Sequence, residues 1–78
     1  MIKEQEIIEA IAEHLGLSPD DLDRHALLRE ELNLGPIELN DLLTHMAREF
    51  DISFDPEETA DVKKIEDLVA LIEDNLLD

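Results

Sequence analysis

Cysteine is absent from the 78 residues, which excludes disulfides and thiolate metal sites and says little about compartment. Tryptophan and tyrosine are absent too, and phenylalanine occurs twice, so any core must be packed on aliphatic side chains. Two glycines and three prolines leave the chain sparsely punctuated. Val, Ile and Thr are few beside Leu and Glu, a balance that favours helices over strands. Serine occurs only at positions 18 and 53, and each is explained by capping or turn geometry. No apolar run approaches the length of a membrane span, and the N-terminus, MIKEQEIIEA, is charged from its third residue. The expectation is therefore no signal peptide, no membrane insertion and a cytoplasmic location.

Positive charge is the scarcest property. Six Lys and Arg face 22 Asp and Glu, for a formal net charge of −16. Such a surface repels nucleic-acid phosphates and acidic headgroups, attracts a basic protein surface and speeds encounter with it. The plainer explanation of the acids is solubility. Because 44% of residues are apolar, the chain can still bury a core, and it has the composition of a globular domain rather than a disordered tail. At this length a single domain, residues 1–78, is expected. Crowding so much charge onto so small a body also costs stability through self-repulsion.

The periodicity predicts three main helices and one short one. Ile7, Ile8, Ile11, Ala12 and Leu15 share one face of a helix over residues 2–15, which Gly16 caps. Ser18, Pro19, Asp20 and Asp21 predict a short helical turn. It lies in a long connection that reaches about residue 35 and is pinned by Leu22, Leu27, Leu28 and Leu32. A second helix starts at Pro36, with Gly35 as N-cap and Glu38 supplying negative charge to its first turn. Its buried stripe is Leu39, Leu42, Leu43, Met46 and Phe50, and it ends near Phe50. Asp55 caps a short helix from Pro56 to about Thr59 or Ala60. The last helix covers roughly residues 63–76, with Ile65, Leu68, Val69, Ile72 and Leu76 on one face. The expected architecture is all-α, a small bundle with a long first loop.

Nothing in this pattern proposes catalysis. His14, His25 and His45 share no metal-ligand spacing, and they read as surface residues. Asp51, Ser53, Asp55 and Glu57 place oxygens at alternate positions, faintly like a calcium loop. Pro56 stands where that loop needs glycine, however, and Val62 where it needs a bidentate glutamate, so no metal site is expected. The two glycines are too far apart for a phosphate loop.

The order and spacing of four segments, HLGLSPDDLD, LLREELNLG, AREFDISF and DPEETADV, together with the acidity, resemble the acyl carrier protein family nearly end to end. The resemblance implies a four-helix carrier fold and an attachment motif, Asp-Ser-Leu, at the start of the second helix, where a serine hydroxyl takes 4′-phosphopantetheine. Counting back from Glu49-Phe50, that motif falls on Gly35-Pro36-Ile37. Ile37 keeps the apolar residue, Gly35 lacks the carboxylate, and Pro36 stands in the serine position without a hydroxyl. No Ser or Thr occurs between residues 19 and 43. Phosphopantetheine is therefore expected to be absent, with no cofactor of any kind. The resemblance also implies docking of basic partner surfaces along the second helix. Ile37, Glu38 and Asp41 match such positions, while Ala47 and Arg48 replace acids, and Asn40 and Thr44 replace exposed apolar residues.

The leading expectation is a non-enzymatic, monomeric, carrier-like module of acyl, fatty-acid or polyketide metabolism that meets the basic surface of an acyl-processing enzyme. A working carrier with an unusual attachment site is the alternative, with Thr44 and Ser53 as poorly placed hydroxyls. A non-covalent acyl-chain binder, with Leu39, Leu42, Met46 and Leu68 lining a cavity, is another, although close packing favours plain core as the role of these four. An acidic decoy of nucleic acid is the last, resting on charge alone.

Overall fold

The computed structural model describes residues 3–76. Helix α1 spans Glu4–Leu15, a single 3-10 turn spans Pro19–Asp21, and α2 (Pro36–Phe50), α3 (Pro56–Thr59) and α4 (Ile65–Leu76) follow. Among the described residues there is no strand, only an isolated antiparallel bridge between Leu27 and Lys64. The expected small all-α bundle with a long first loop is the fold observed, and the predicted turn at Pro19 is its 3-10 element. Residue 2, the predicted first residue of the first helix, lies outside the described residues.

The helix boundaries at Gly16, Asp51 and Asp55 have local causes. Gly16 adopts φ 73°, the left-handed conformation that costs glycine nothing. Its amide and that of Leu17 close back on Glu13 and Ala12 carbonyls at 3.2 and 2.8 Å, which satisfies the end of α1. The same motif ends α2, where Ile52 donates to the Ala47 carbonyl at 2.9 Å. Here the left-handed residue is Asp51 at φ 53°, so a side chain bears the steric cost. Asp55 caps α3 as expected, its Oδ1 accepting from the Glu57 amide at 3.0 Å. Ser18 makes no side-chain cap, which corrects that expectation.

The core joins one face of each long helix to the loop. Ile7, Ile11, Leu42, Met46, Ile65, Leu68 and Ile72 are fully buried, and among the described residues no polar or charged side chain is buried with them. Each such aliphatic residue contributes about 1.5–3 kcal/mol relative to exposure. Leu39, Leu43 and Phe50 of the predicted α2 stripe are half-buried at its margins.

The last helix begins two residues later than its periodicity predicts, because the loop claims the backbone there. Leu28 donates to the Lys63 carbonyl at 2.9 Å, Ile65 to Ala26 at 3.1 Å, and Glu66 to the Arg24 carbonyl at 2.8 Å. Residues 63 and 64 are thus extended against the loop, and their amides are taken by the Asp67 carboxylate at 3.2 and 3.1 Å. Arg24 also reaches α1, with its guanidinium 2.7 Å from Glu4. These contacts hold the loop on the bundle and fix the approach of the chain to Pro36.

Candidate functional site

The chain enters α2 through a tight bend. Asn33 takes a left-handed conformation, φ 57°, which Asn tolerates better than most residues. Leu34 then donates to the Leu28 carbonyl at 3.0 Å, which pins the bend to the loop. Gly35 is extended and N-caps the helix, and its carbonyl accepts the first helical bond from Leu39 at 2.9 Å. Pro36 occupies the first helical position, where a missing N–H costs nothing because that amide has no intrahelical partner.

Glu38 folds back so that its Oε1 accepts from the Gly35 amide at 3.1 Å. This is half of a capping box, since glycine has no side chain to return the bond. The absence of a Cβ is what admits the carboxylate. A Cβ at position 35 would stand 2.7 Å from Glu38 Oε1.

All five predicted site residues come together at this end of the molecule. Pro36, Glu38 and Asp41 are exposed and Gly35 is half-buried. Ile37 is 81% exposed, the most exposed large apolar side chain described. With Leu15, Leu34 and His14, the side chains of Ile37, Glu38 and Asp41 line one shallow depression between the end of α1 and the start of α2. The surface is an apolar knob rimmed by two carboxylates.

His14 was expected on the surface without a role. Its side chain is only 21% exposed, and its Nε2 lies 2.9 Å from Asp41 Oδ2. It also stacks on His45, with ring centroids 4.3 Å apart and an interplanar angle of 22°. The one available hint was the four-residue spacing of Asp41 and His45, which puts them on one helical face. His25 is exposed and pairs with Glu66 at 3.2 Å. No group of three or more His, Asp or Glu among the described residues could hold a metal ion.

On the other side of Pro36 a cavity of about 460 Å³ opens between the loop, the start of α2 and the segment before α4. Its apolar wall includes Leu27, Leu28, Leu34, Leu39 and Val62, and Arg29 and Lys63 stand at its edge. Of the four residues weighed as a lining, three take the favoured role of plain core. Leu42, Met46 and Leu68 have no exposure and belong to the close-packed core, which leaves Leu39 as the only predicted residue on the cavity.

The family defined by a phosphopantetheine attachment site matches residues 5–72. The chain belongs to the acyl carrier protein family. It is 29% identical over 72 residues to the acyl carrier protein of Nitratidesulfovibrio vulgaris (strain DSM 19637 / Miyazaki F), an overlap that takes in 92% of this chain and 95% of the relative.

Whether the chain can hold the family's group is a question of donors. Attachment needs a hydroxyl at an accessible helix start, and Pro36 has none. Thr44 is exposed but lies about 12 Å further along the helix axis. It borders a separate shallow groove with Asn40, Ala47 and Phe54. Ser53 lies beyond the end of α2. The residues at this helix start do not fit a phosphopantetheine ester.

Proposed function

We propose that this carrier-fold protein is not phosphopantetheinylated and acts as a non-catalytic interaction module, offering the start of α2 to the basic surface of an acyl-processing enzyme. The observation that carries the reading is Pro36, exposed at the first position of α2, with no hydroxyl anywhere between residues 19 and 43. Ile37 at 81% exposure supplies a contact that only a partner would bury. Glu38 and Asp41 beside it, on a chain of net charge −16, favour a partner with cations around an apolar pocket. The module is read as monomeric and cytoplasmic, and no helix among the described residues is long and apolar enough to cross a membrane.

Incubation with coenzyme A, Mg²⁺ and a phosphopantetheinyl transferase, followed by intact-mass measurement, tests the first half. The expected mass is unchanged, and a stoichiometric phosphopantetheine adduct overturns the reading. Co-purification from a native lysate tests the second. Ile37→Glu should abolish capture of an acyl-processing partner that the unmodified sequence retains.

The cavity beside Pro36 favours a second reading, non-covalent acyl-chain binding. Its volume of about 460 Å³ lies within the range of small-molecule sites. Addition of a fatty acid should then shift the methyl resonances of Leu28, Leu39 and Val62. A spectrum that stays still removes this reading.

A further inference from the structure

The junction of α1 and α2 carries an arrangement that the docking face does not use. His14 sits in the last turn of α1, bonded through Nε2 to Asp41 Oδ2 at 2.9 Å. The His45 ring lies on the other side of it at 4.3 Å. Glu13 of α1 and Glu49 of α2 border the His14–His45 pair, and Glu38 and Asp41 border His14 from the docking end. The loop contributes Leu34 and no charge.

We propose that His14 and His45 form a proton-operated switch of the charge shown by the docking end of α2, a role that rests on reading that end as an interaction face. Imidazoles change charge between about pH 5 and 8. With both rings neutral, Glu13, Glu38, Asp41 and Glu49 stand uncompensated along this junction. A proton on His14 turns its bond to Asp41 into a charge-assisted pair and cancels one carboxylate of the docking rim. A proton on both rings places two like charges at stacking distance, and the rings part. A basic partner therefore meets the full negative rim while His14 is neutral and a reduced one once His14 carries a proton.

The test is an NMR pH titration of the full chain between about pH 5 and 8. It follows both imidazole rings, the Asp41 side-chain carboxylate carbon and the Ile37 and Asp41 amides. The α2 signals should follow the His14 ring curve, and the ring-current shifts from the stack should be lost at the acidic end. In His14→Gln, whose amide still donates to Asp41, the shared curve should vanish from Ile37 and Asp41. Should that variant fail to fold, Asp41→Asn removes the rim carboxylate and leaves the imidazole in place, and the Ile37 amide should then lose most of its share of the His14 ring curve. Flat Ile37 and Asp41 signals, or the same curve persisting in His14→Gln, overturn the switch. Those results would leave the interaction module standing, and a phosphopantetheine adduct would overturn the module and leave these curves standing.

Discussion

Replacing Pro36 by Ser returns a hydroxyl to the start of α2 and separates a missing atom from a missing surface. The structural cost is small. Pro36 is exposed at the first helical position, so the amide gained needs no intrahelical partner. What is lost is mainly the stiffness that proline gives the unfolded chain, about 0.4–1 kcal/mol. For a chain of this size that lowers the melting temperature by about 2–8 °C. A loss of that size is small beside the total stability typical of a folded domain. Adding Gly35→Asp restores the neighbouring carboxylate. Its Cβ meets Glu38 Oε1 at 2.7 Å, and Glu38, an exposed side chain, swings out. The Asp side chain then caps the first-turn amides in place of the Glu38 bond, a gain over glycine of a few tenths of a kcal/mol that roughly offsets the bond lost. The assay is intact mass after incubation with coenzyme A and a phosphopantetheinyl transferase. The expected order is no adduct on the natural sequence, slow modification of Pro36→Ser, and faster modification of the double variant. Equal modification of all three would refute the reasoning, because the group would then be held somewhere other than position 36.

Three further outcomes follow from the structure. Asp51 bears a left-handed φ of 53° and a negative charge at the C-terminal end of α2. Asp51→Gly should therefore stabilise by about 1 kcal/mol, and a melting temperature that fails to rise would contradict the cap described here. Leu68 has no exposure, so Leu68→Ala should cost about 2–5 kcal/mol. That is a large share of the total expected for a domain this small, and denaturant titration would read it as a lower midpoint. The net charge of −16 is confined to a body with a radius of gyration of 11.4 Å. Raising the salt from about 0.01 to 1 M shortens the screening length from about 30 to 3 Å, so the melting temperature should climb. A melt indifferent to salt would show that the acids do not repel one another appreciably.

Much of the fold was legible because its signals are local. Gly16, the Gly35-Pro36 pair and Asp55-Pro56 mark helix boundaries by backbone chemistry alone, and the α2 and α4 stripes follow a helical period. The start of α4 was not legible, because residues 63 and 64 are held extended by amides and carbonyls of Arg24, Ala26 and Leu28, and such long-range pairing leaves no periodic trace. Pro36, Ile37, Glu38 and Asp41 lie on the first turns of α2, as their spacing predicts, while the partners of their side chains left no sequence signal. Glu38 read as a charge beside the helix dipole, yet its carboxylate is bound to the Gly35 amide. The His14–Asp41 bond joins residues 27 apart in sequence, and only the packing of α1 on α2 brings them together. Which residues line the cavity was not legible for the same reason. Helical spacing marks which residues face inward, and it does not mark which of those face a gap.

These missed contacts change what the two rim carboxylates can do. Each is held through one oxygen, Glu38 by the Gly35 amide and Asp41 by His14. An ionised carboxylate has acceptor sites on both oxygens, so Glu38 Oε2 and Asp41 Oδ1 can still receive a cation from outside. On the proposed docking role, a partner would meet carboxylates already fixed in direction, and less side-chain freedom would be lost on binding. Recognition on these terms depends on geometry as much as on net charge. A lysine brings a compact charge to either free oxygen, whereas a planar guanidinium needs both oxygens of one carboxylate for its bidentate contact. The internal bonds oppose that contact, so a partner fitted to this face should present lysines around the pocket that takes Ile37.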